Sequence, residues 1–234
     1  AEFAGEDSRV QVSLALARLL QLASPALPVG AYTYSQGLEW AVEAGRVGDE
    51  ATALDWIGGL LANAVGRFEA PLTASLQRAW MAADAGEVER LNADFLASRE
   101  SSELRAETLQ MGYSLRCLLH DLGASALPPA CAVPQEITFP AGWALAAAVW
   151  AIDPEHSLTA YLWSWCENQV MAALKAVPLG QTAGQRLMLT LGARLPALAL
   201  AALDLPEERW SNLAPGFALA SSRHETQYAR LFRS

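Results

Sequence analysis

The chain has 234 residues, of which 53% are hydrophobic and only 18% charged, with a formal net charge of −9. That much apolar material excludes a disordered chain, and the length suits a single domain with a sizeable core. Sixteen basic residues stand against 25 acidic ones, with no basic stripe before the last dozen positions. This argues against nucleic acid and against an anionic membrane surface as partners.

In chain order, residues 1–9 show no basic-then-apolar signal pattern and are expected to be a disordered or appended tail. The stretch from Ser24-Pro25 to Gly30 stops a first helix and turns the chain; Tyr32, Thr33, Tyr34 and Ser35 follow, with Thr33 or Ser35 able to cap the next helix. Leu54, Ile57, Leu61, Ala64, Val65 and Phe68 then recur at three-and-four spacing. So do Leu104, Thr108, Met111, Leu115, Leu118 and Leu122. Each set predicts a helix with one apolar face. Breaks are expected at Gly123 to Pro134, with Leu127 to Pro134 as a loop, and the apolar run Ala141–Ile152 is too short to span a bilayer. Asp153-Pro154-Glu155 marks a helix start, followed by the stripe Leu162, Trp165, Gln169, Val170, Ala173 and Leu174. Beyond the break at Pro178-Leu179-Gly180 come Leu187, Leu191, Leu195 and Leu198, and a further break at Leu205 to Gly216. Thr182-Ala183-Gly184-Gln185 and Ser222-Arg223-His224-Glu225 both match the capping box. No run alternates at period two. The expected fold class is therefore all-α: one compact bundle of about nine or ten helices over residues 10–220, with residues 221–234 as a C-terminal docking segment.

Catalytic signatures are absent. There is no Gly-x-Ser-x-Gly, no phosphate-binding loop and no His-Glu-x-x-His. Cys117, Cys131 and Cys166 are odd in number and lack metal-ligand spacing; His120, His156 and His224 are scattered. These counts favour a reducing compartment and predict no catalytic residues, no metal site and no directly bound cofactor. A competing reading is a small helical enzyme or metal carrier that uses His224 and a distant cysteine.

Three segments carry chemistry suited to binding. The tyrosines at 32 and 34 suit either an interface or an ordinary helix–loop–helix corner in which they are buried, the latter being the simpler account of the loop backbone. Lys175, the only lysine in the chain, stands at the end of an apolar helix, where it complements either the helix dipole or an acidic partner. The ending from Arg223 to Ser234 gathers Arg223, His224, Tyr228, Arg230, Phe232 and Arg233 in an otherwise acidic chain. Read as a capped helix, it predicts Tyr228, Leu231 and Phe232 on one face and Arg223 and Arg230 on another. Arginine and aromatic residues are the types favoured at interfaces.

Four separated motifs occur in order: Ser24-Pro25 through Leu27-Pro28-Val29-Gly30-Ala31-Tyr32 to Gly37-Leu38-Glu39; Ser98-Arg99-Glu100 to Glu103-Leu104-Arg105; Lys175 to Gln181; and Arg223-His224-Glu225-Thr226-Gln227-Tyr228 closing on Arg230 to Ser234. With them the chain resembles the urease accessory protein UreF family from about Leu19 to its end. The resemblance implies a non-catalytic, homodimeric, cytoplasmic helical protein. It implies a metallocenter-assembly complex with a UreD/UreH-type scaffold protein and a UreG-type GTPase on apo-urease. There the lysine carbamate and two nickel ions are installed, nickel and GTP being handled by the partners. It places Tyr32, Glu39 and Lys175 toward the GTPase or a dimer surface, and the tail from Arg223 toward the scaffold. The residues read together as partner-binding are Tyr32, Ser35, Glu39, Lys175, Gln181, Arg223, His224, Glu225, Tyr228, Arg230 and Phe232. Modulation of the GTPase follows either from binding one nucleotide state better or from supplying a cation such as Lys175 to the transition state, which accelerates hydrolysis by about 10³–10⁵ in known cases.

Overall fold

A computed structural model describes the backbone of residues 2–124 and 133–234, with side chains from Val10 onward in those ranges. Cys131 and most of the expected Leu127–Pro134 loop lie outside the described residues. Among the described residues the secondary structure is entirely helical: α1 Glu2–Leu22, α2 Leu38–Glu43, α3 Glu50–Leu60, α4 Ala70–Met81, α5 Ala85–Ala97, α6 Ser102–Asp121, α7 Phe139–Val149, α8 Pro154–Ala176, α9 Gln181–Gly192, α10 Leu195–Leu203 and α11 Pro215–His224. A π-helical segment, Leu61–Glu69, joins α3 to α4 in one rod, and only two residues separate α9 from α10. Counted as rods, the bundle agrees with the nine or ten expected. The first turns of α1 occupy the stretch read from sequence as a tail.

Several helix starts have a stated chemical cause. Asp153 accepts the N–H groups of Glu155 and His156, with Pro154 in the first turn, as expected. Asp49 and Thr52 form a reciprocal capping box, and Asp84 and Ser101 accept from Glu87 N–H and Leu104 N–H. The Thr182 box, by contrast, does not form. α9 begins at Gln181 behind Gly180, with no side-chain cap.

The π segment also has a cause. Pro71 has no N–H, so the carbonyl of Arg67, four residues earlier, loses its helical donor. That carbonyl accepts the N–H of Ser211 instead, at 3.1 Å.

Among the described residues, packing forms two large apolar clusters with α4 and α8 as shared walls, and a small third one of Leu60, Leu104 and Phe217. Leu72, Leu76 and Trp80 of α4 meet Leu115 of α6, Trp143 of α7 and Tyr161 of α8 in one. Ala70 and Ala74 of α4 meet Leu162, Cys166 and Val170 of α8, Ile57 of α3 and Leu191 of α9 in the other. The predicted stripes therefore face inward as expected, except for Leu122, which is exposed. α6 approaches the chain before α7 so closely that a Cβ on Gly112 would sit 2.0 Å from the Ile137 carbonyl oxygen. The run Gln181–Leu203 is long and apolar enough to cross a membrane by length and composition; here Leu187, Leu191, Leu195 and Ala199 on one side of it pack into the second cluster.

Candidate functional site

The most polar part of the interior lies where α2, α6 and α11 meet the chain end. The approach to α2 requires two successive left-handed residues, Gln36 at φ 51° and Gly37 at φ 78°. Gly37 is also tight: a Cβ there would come within 3.0 Å of Ala220 and of the Ser221 backbone on α11. Gln36 is held in its uncommon conformation from both ends of its amide. Its Oε1 accepts from Trp165 Nε1 at 2.8 Å, and its Nε2 donates to Glu107 at 2.7 Å.

This turn delivers Ser35 and Glu39 to the tail. The Ser35 N–H and hydroxyl both donate to the Ser234 carbonyl. Ser35 Oγ in turn accepts the Glu39 N–H at 3.3 Å, so it does serve the start of α2, though the N-cap position itself is Gly37. Thr33 donates to the Gly30 carbonyl instead of capping. The Glu39 carboxylate accepts the backbone N–H groups of Leu231 at 2.6 Å and Phe232 at 3.0 Å. From α6, Glu103 accepts from the Arg230 guanidinium, and Glu107 accepts from the Ser234 hydroxyl at 2.8 Å. Arg233 N–H donates to the Thr33 carbonyl at 2.8 Å.

His224, the last residue of α11, joins these carboxylates. Its Nδ1 lies 2.7 Å from Glu103 Oε2 and its Nε2 3.1 Å from Glu39 Oε2, and the side chain is 0% exposed. The two carboxylates touch opposite nitrogens and do not converge on one vacant point. Among the described residues no group of three or more His, Cys, Asp or Glu is placed to hold a metal ion.

The ending is not the capped helix expected. α11 stops at His224, and residues 225–234 run in turns and bends. The reason is that Glu225 is used elsewhere. Its carboxylate accepts the N–H groups of Ser102 and Glu103 and the Ser102 hydroxyl, which caps α6 and holds the Glu225 carboxyl below its usual range. The last four residues then alternate: Leu231 out, Phe232 in, Arg233 out, Ser234 in. Phe232 enters the second apolar cluster, with Lys175 Nζ 5.4 Å from its ring centre. Leu231 and Phe232, expected on one face, therefore point opposite ways.

The predicted site residues thus separate into two groups. Ser35, Glu39, His224 and Phe232 are buried and bind their own chain. Tyr228 at 104% exposure, Arg223, Arg230, Lys175 and Gln181 face solvent. Tyr32 is half-buried, its hydroxyl pushed up to about 12 by burial and by Glu167 nearby. Sequence reasoning missed Gln36, Glu69, Glu103, Glu107 and Tyr161 as site residues. Glu103 and Glu107 sit four apart beside Leu104 and Thr108, and acidic residues next to a buried stripe were the available signal.

Behind Glu107 lies a second polar group. Arg99 donates to Glu69 at 2.8 Å, both nearly dehydrated, and Tyr161 donates to the other Glu69 oxygen at 3.1 Å. Burial pushes the Glu107 carboxyl up to about 7, against the pull of Gln36 and Ser234. These groups, with Tyr32, Glu167 and apolar side chains such as Leu22 and Phe139, line a cavity of about 80 Å³ beneath the 25–36 loop. His224 lines neither this cavity nor the groove between α1 and α8.

The UreF family model matches residues 47–192. A urease accessory protein UreF from Dechloromonas aromatica is 60% identical over 228 residues, covering 96% of this chain and all of the relative. One from Azoarcus is 64% identical over 225 residues, covering 94% of this chain and 96% of the relative. A bifunctional urease accessory protein UreEF from Bordetella bronchiseptica is 50% identical over 224 residues, covering 94% of this chain and 52% of that longer relative. At these identities and over this span, the chain belongs to the UreF family of urease accessory proteins.

Proposed function

We propose that this accessory protein joins a UreD/UreH-type scaffold protein to a UreG-type GTPase, and so assists GTP-dependent nickel insertion into apo-urease. The protein works as a cytoplasmic homodimer, makes and breaks no covalent bond, and leaves nickel and GTP to its partners. A relative named as a bifunctional urease accessory protein UreEF joins two accessory functions in one chain, in keeping with accessory proteins that work in contact.

The observation that carries this reading is the form of the chain end. Its backbone and Phe232 are held by the body, while Tyr228, Leu231 at 73% exposure, Arg223 and Arg233 face outward. Arginine with exposed aromatic and aliphatic side chains on an acidic protein is the composition of a contact surface. The buried partner-binding candidates, Ser35, Glu39, His224 and Phe232, act by presenting that surface. Lys175, exposed beside Phe232, and Tyr32 belong to the face offered to the GTPase.

A pull-down of scaffold and GTPase, with and without GTP, tests this. The expected result is scaffold capture by the full chain and its loss on deleting residues 223–234; unchanged capture would reject the tail as the scaffold contact. GTP turnover by the partner in the presence of Lys175→Ala protein separates gating from direct activation, equal rates removing Lys175 from the hydrolytic step.

The metal-carrier reading built on His224 gains nothing from the structure described here, since both ring nitrogens are engaged by carboxylates. An equilibrium nickel titration of the isolated chain would revive it if binding proved tight and stoichiometric.

A further inference from the structure

We propose that the cavity beneath the 25–36 loop is a binding site for a small organic cation of the guanidinium or alkylammonium class. Three carboxyls and a single cation line it: Glu69, Glu107 and Glu167 against Arg99. Arg99 is already paired with Glu69, so two carboxyls have no cation of their own on this wall. The wall also carries the mutually packed rings of Phe139, Trp143 and Tyr161, with centroids within 6.0 Å of their neighbours. Aromatic faces beside uncompensated carboxyls attract a cation.

The free polar groups on this wall call for donors. Asn168 on α8 donates its Nδ2 to the Tyr34 carbonyl at 3.1 Å, which fixes the amide's orientation and leaves Oδ1 buried without a donor. Its neighbour Glu167 is partly buried and accepts no hydrogen bond among the described residues. Glu167, Ser24 and Pro25 also line the groove between α1 and α8, so groove and cavity adjoin there and a ligand has a way in. At about 80 Å³ the space is about half that of a cavity that holds benzene, which limits the ligand to about four or five non-hydrogen atoms. A divalent metal is a poor fit, because among the described residues no three ligating side chains converge. A nitrogen cation held by Glu167 and Asn168 braces α8 against the 25–36 loop, whose Tyr32 lies on the same wall.

The site belongs to the isolated chain, so its test needs no partner and its failure leaves the partner reading to the pull-down. Guanidinium chloride and urea, a cation and its neutral isostere, are titrated into the full chain at constant ionic strength while the tryptophan indole N–H resonances are followed by NMR. Trp143 and Trp165 line the cavity, whereas Trp40 and Trp210 do not. The expected result is a saturable shift of the Trp143 and Trp165 signals with a midpoint on the order of 1 mM for guanidinium, the range open to so small a ligand, and a midpoint at least about tenfold higher for urea. Glu167→Gln takes a charge from the wall without breaking a hydrogen bond and is expected to weaken guanidinium binding at least about tenfold. Tetraethylammonium, too large for the space, is expected to leave both signals unmoved. Absence of a saturable shift, an equal response to urea, or an unchanged midpoint in Glu167→Gln overturns the proposal. So does a matching shift with tetraethylammonium, since that ion acts only at the surface.

Discussion

The two polar interiors of this protein are built on opposite terms. The Glu69–Arg99–Tyr161 group draws its side chains from the π segment, the turn between α5 and α6, and α8, and Arg99 also stacks 4.3 Å over Phe95. The tail cradle of Glu39, Glu103 and Glu107 is closed by ten residues with no regular structure, pinned by hydrogen bonds and one ring, Phe232. Both hold dehydrated carboxylates with cationic partners. In the first, opening would require unpacking the bundle. In the second, it requires lifting only the tail, whose only sizeable apolar burial is Phe232, worth about 2–3 kcal/mol. Charge pairs in a packed wall are structural, whereas the same chemistry under a short terminal segment is a place where partners or protons can act.

The contrast can be broken at its strongest point first. Trp143, fully buried with its Nε1 donating to Ser157, is expected to cost about 3–5 kcal/mol as Trp143→Ala, read as a drop in the urea midpoint. Tail exchange should change only through global unfolding. Arg99→Ala leaves Glu69 buried with Tyr161 as its remaining partner and is expected to cost about 3 kcal/mol of global stability. A global loss near zero would show that the two polar interiors do not differ as argued.

The cradle should behave differently. Glu107 has a folded-state value raised from 4.5 to about 7 by burial, so the folded chain binds its proton more tightly than the unfolded chain. Its contribution is fully present below the unfolded value and is lost as pH rises through the folded one. A decline of up to about 3 kcal/mol is expected across that window, and Glu107→Gln should flatten it in urea melts taken at successive pH values. Glu39→Gln keeps one acceptor oxygen but loses the charge that receives Leu231 N–H, Phe232 N–H and His224. Its expected signature is a tail readily cleaved by trypsin at Arg230 with global stability lowered by only about 1–2 kcal/mol. The smallest effect belongs to Lys175→Ala, which removes an exposed cation from the Phe232 ring and should cost under about 1 kcal/mol.

Much of the architecture was legible in the order of residues. The stripes at 54–68, 104–115, 162–174 and 187–198 become buried faces because a helix repeats every 3.6 residues whatever lies opposite. Asp153-Pro154 starts α8 because a cap acts on backbone donors two and three residues away. The identity of Tyr32, Lys175 and the Arg223–Ser234 ending as unusual chemistry was also open to reading, since composition alone sets them apart from an acidic, lysine-free background.

What the order of residues could not decide is who partners whom. Ser222-Arg223-His224-Glu225 has the spacing of a capping box, yet Glu225 caps α6, more than a hundred positions earlier in the chain. Glu39 and His224 are 185 residues apart and meet only because Gly37 lets α2 lie against α11. Local signals report bonds whose two ends are close in sequence. Burial, the meeting of carboxylates around His224 and the choice between a solvated tail and a docked one depend on long-range packing, and tertiary structure alone settles them.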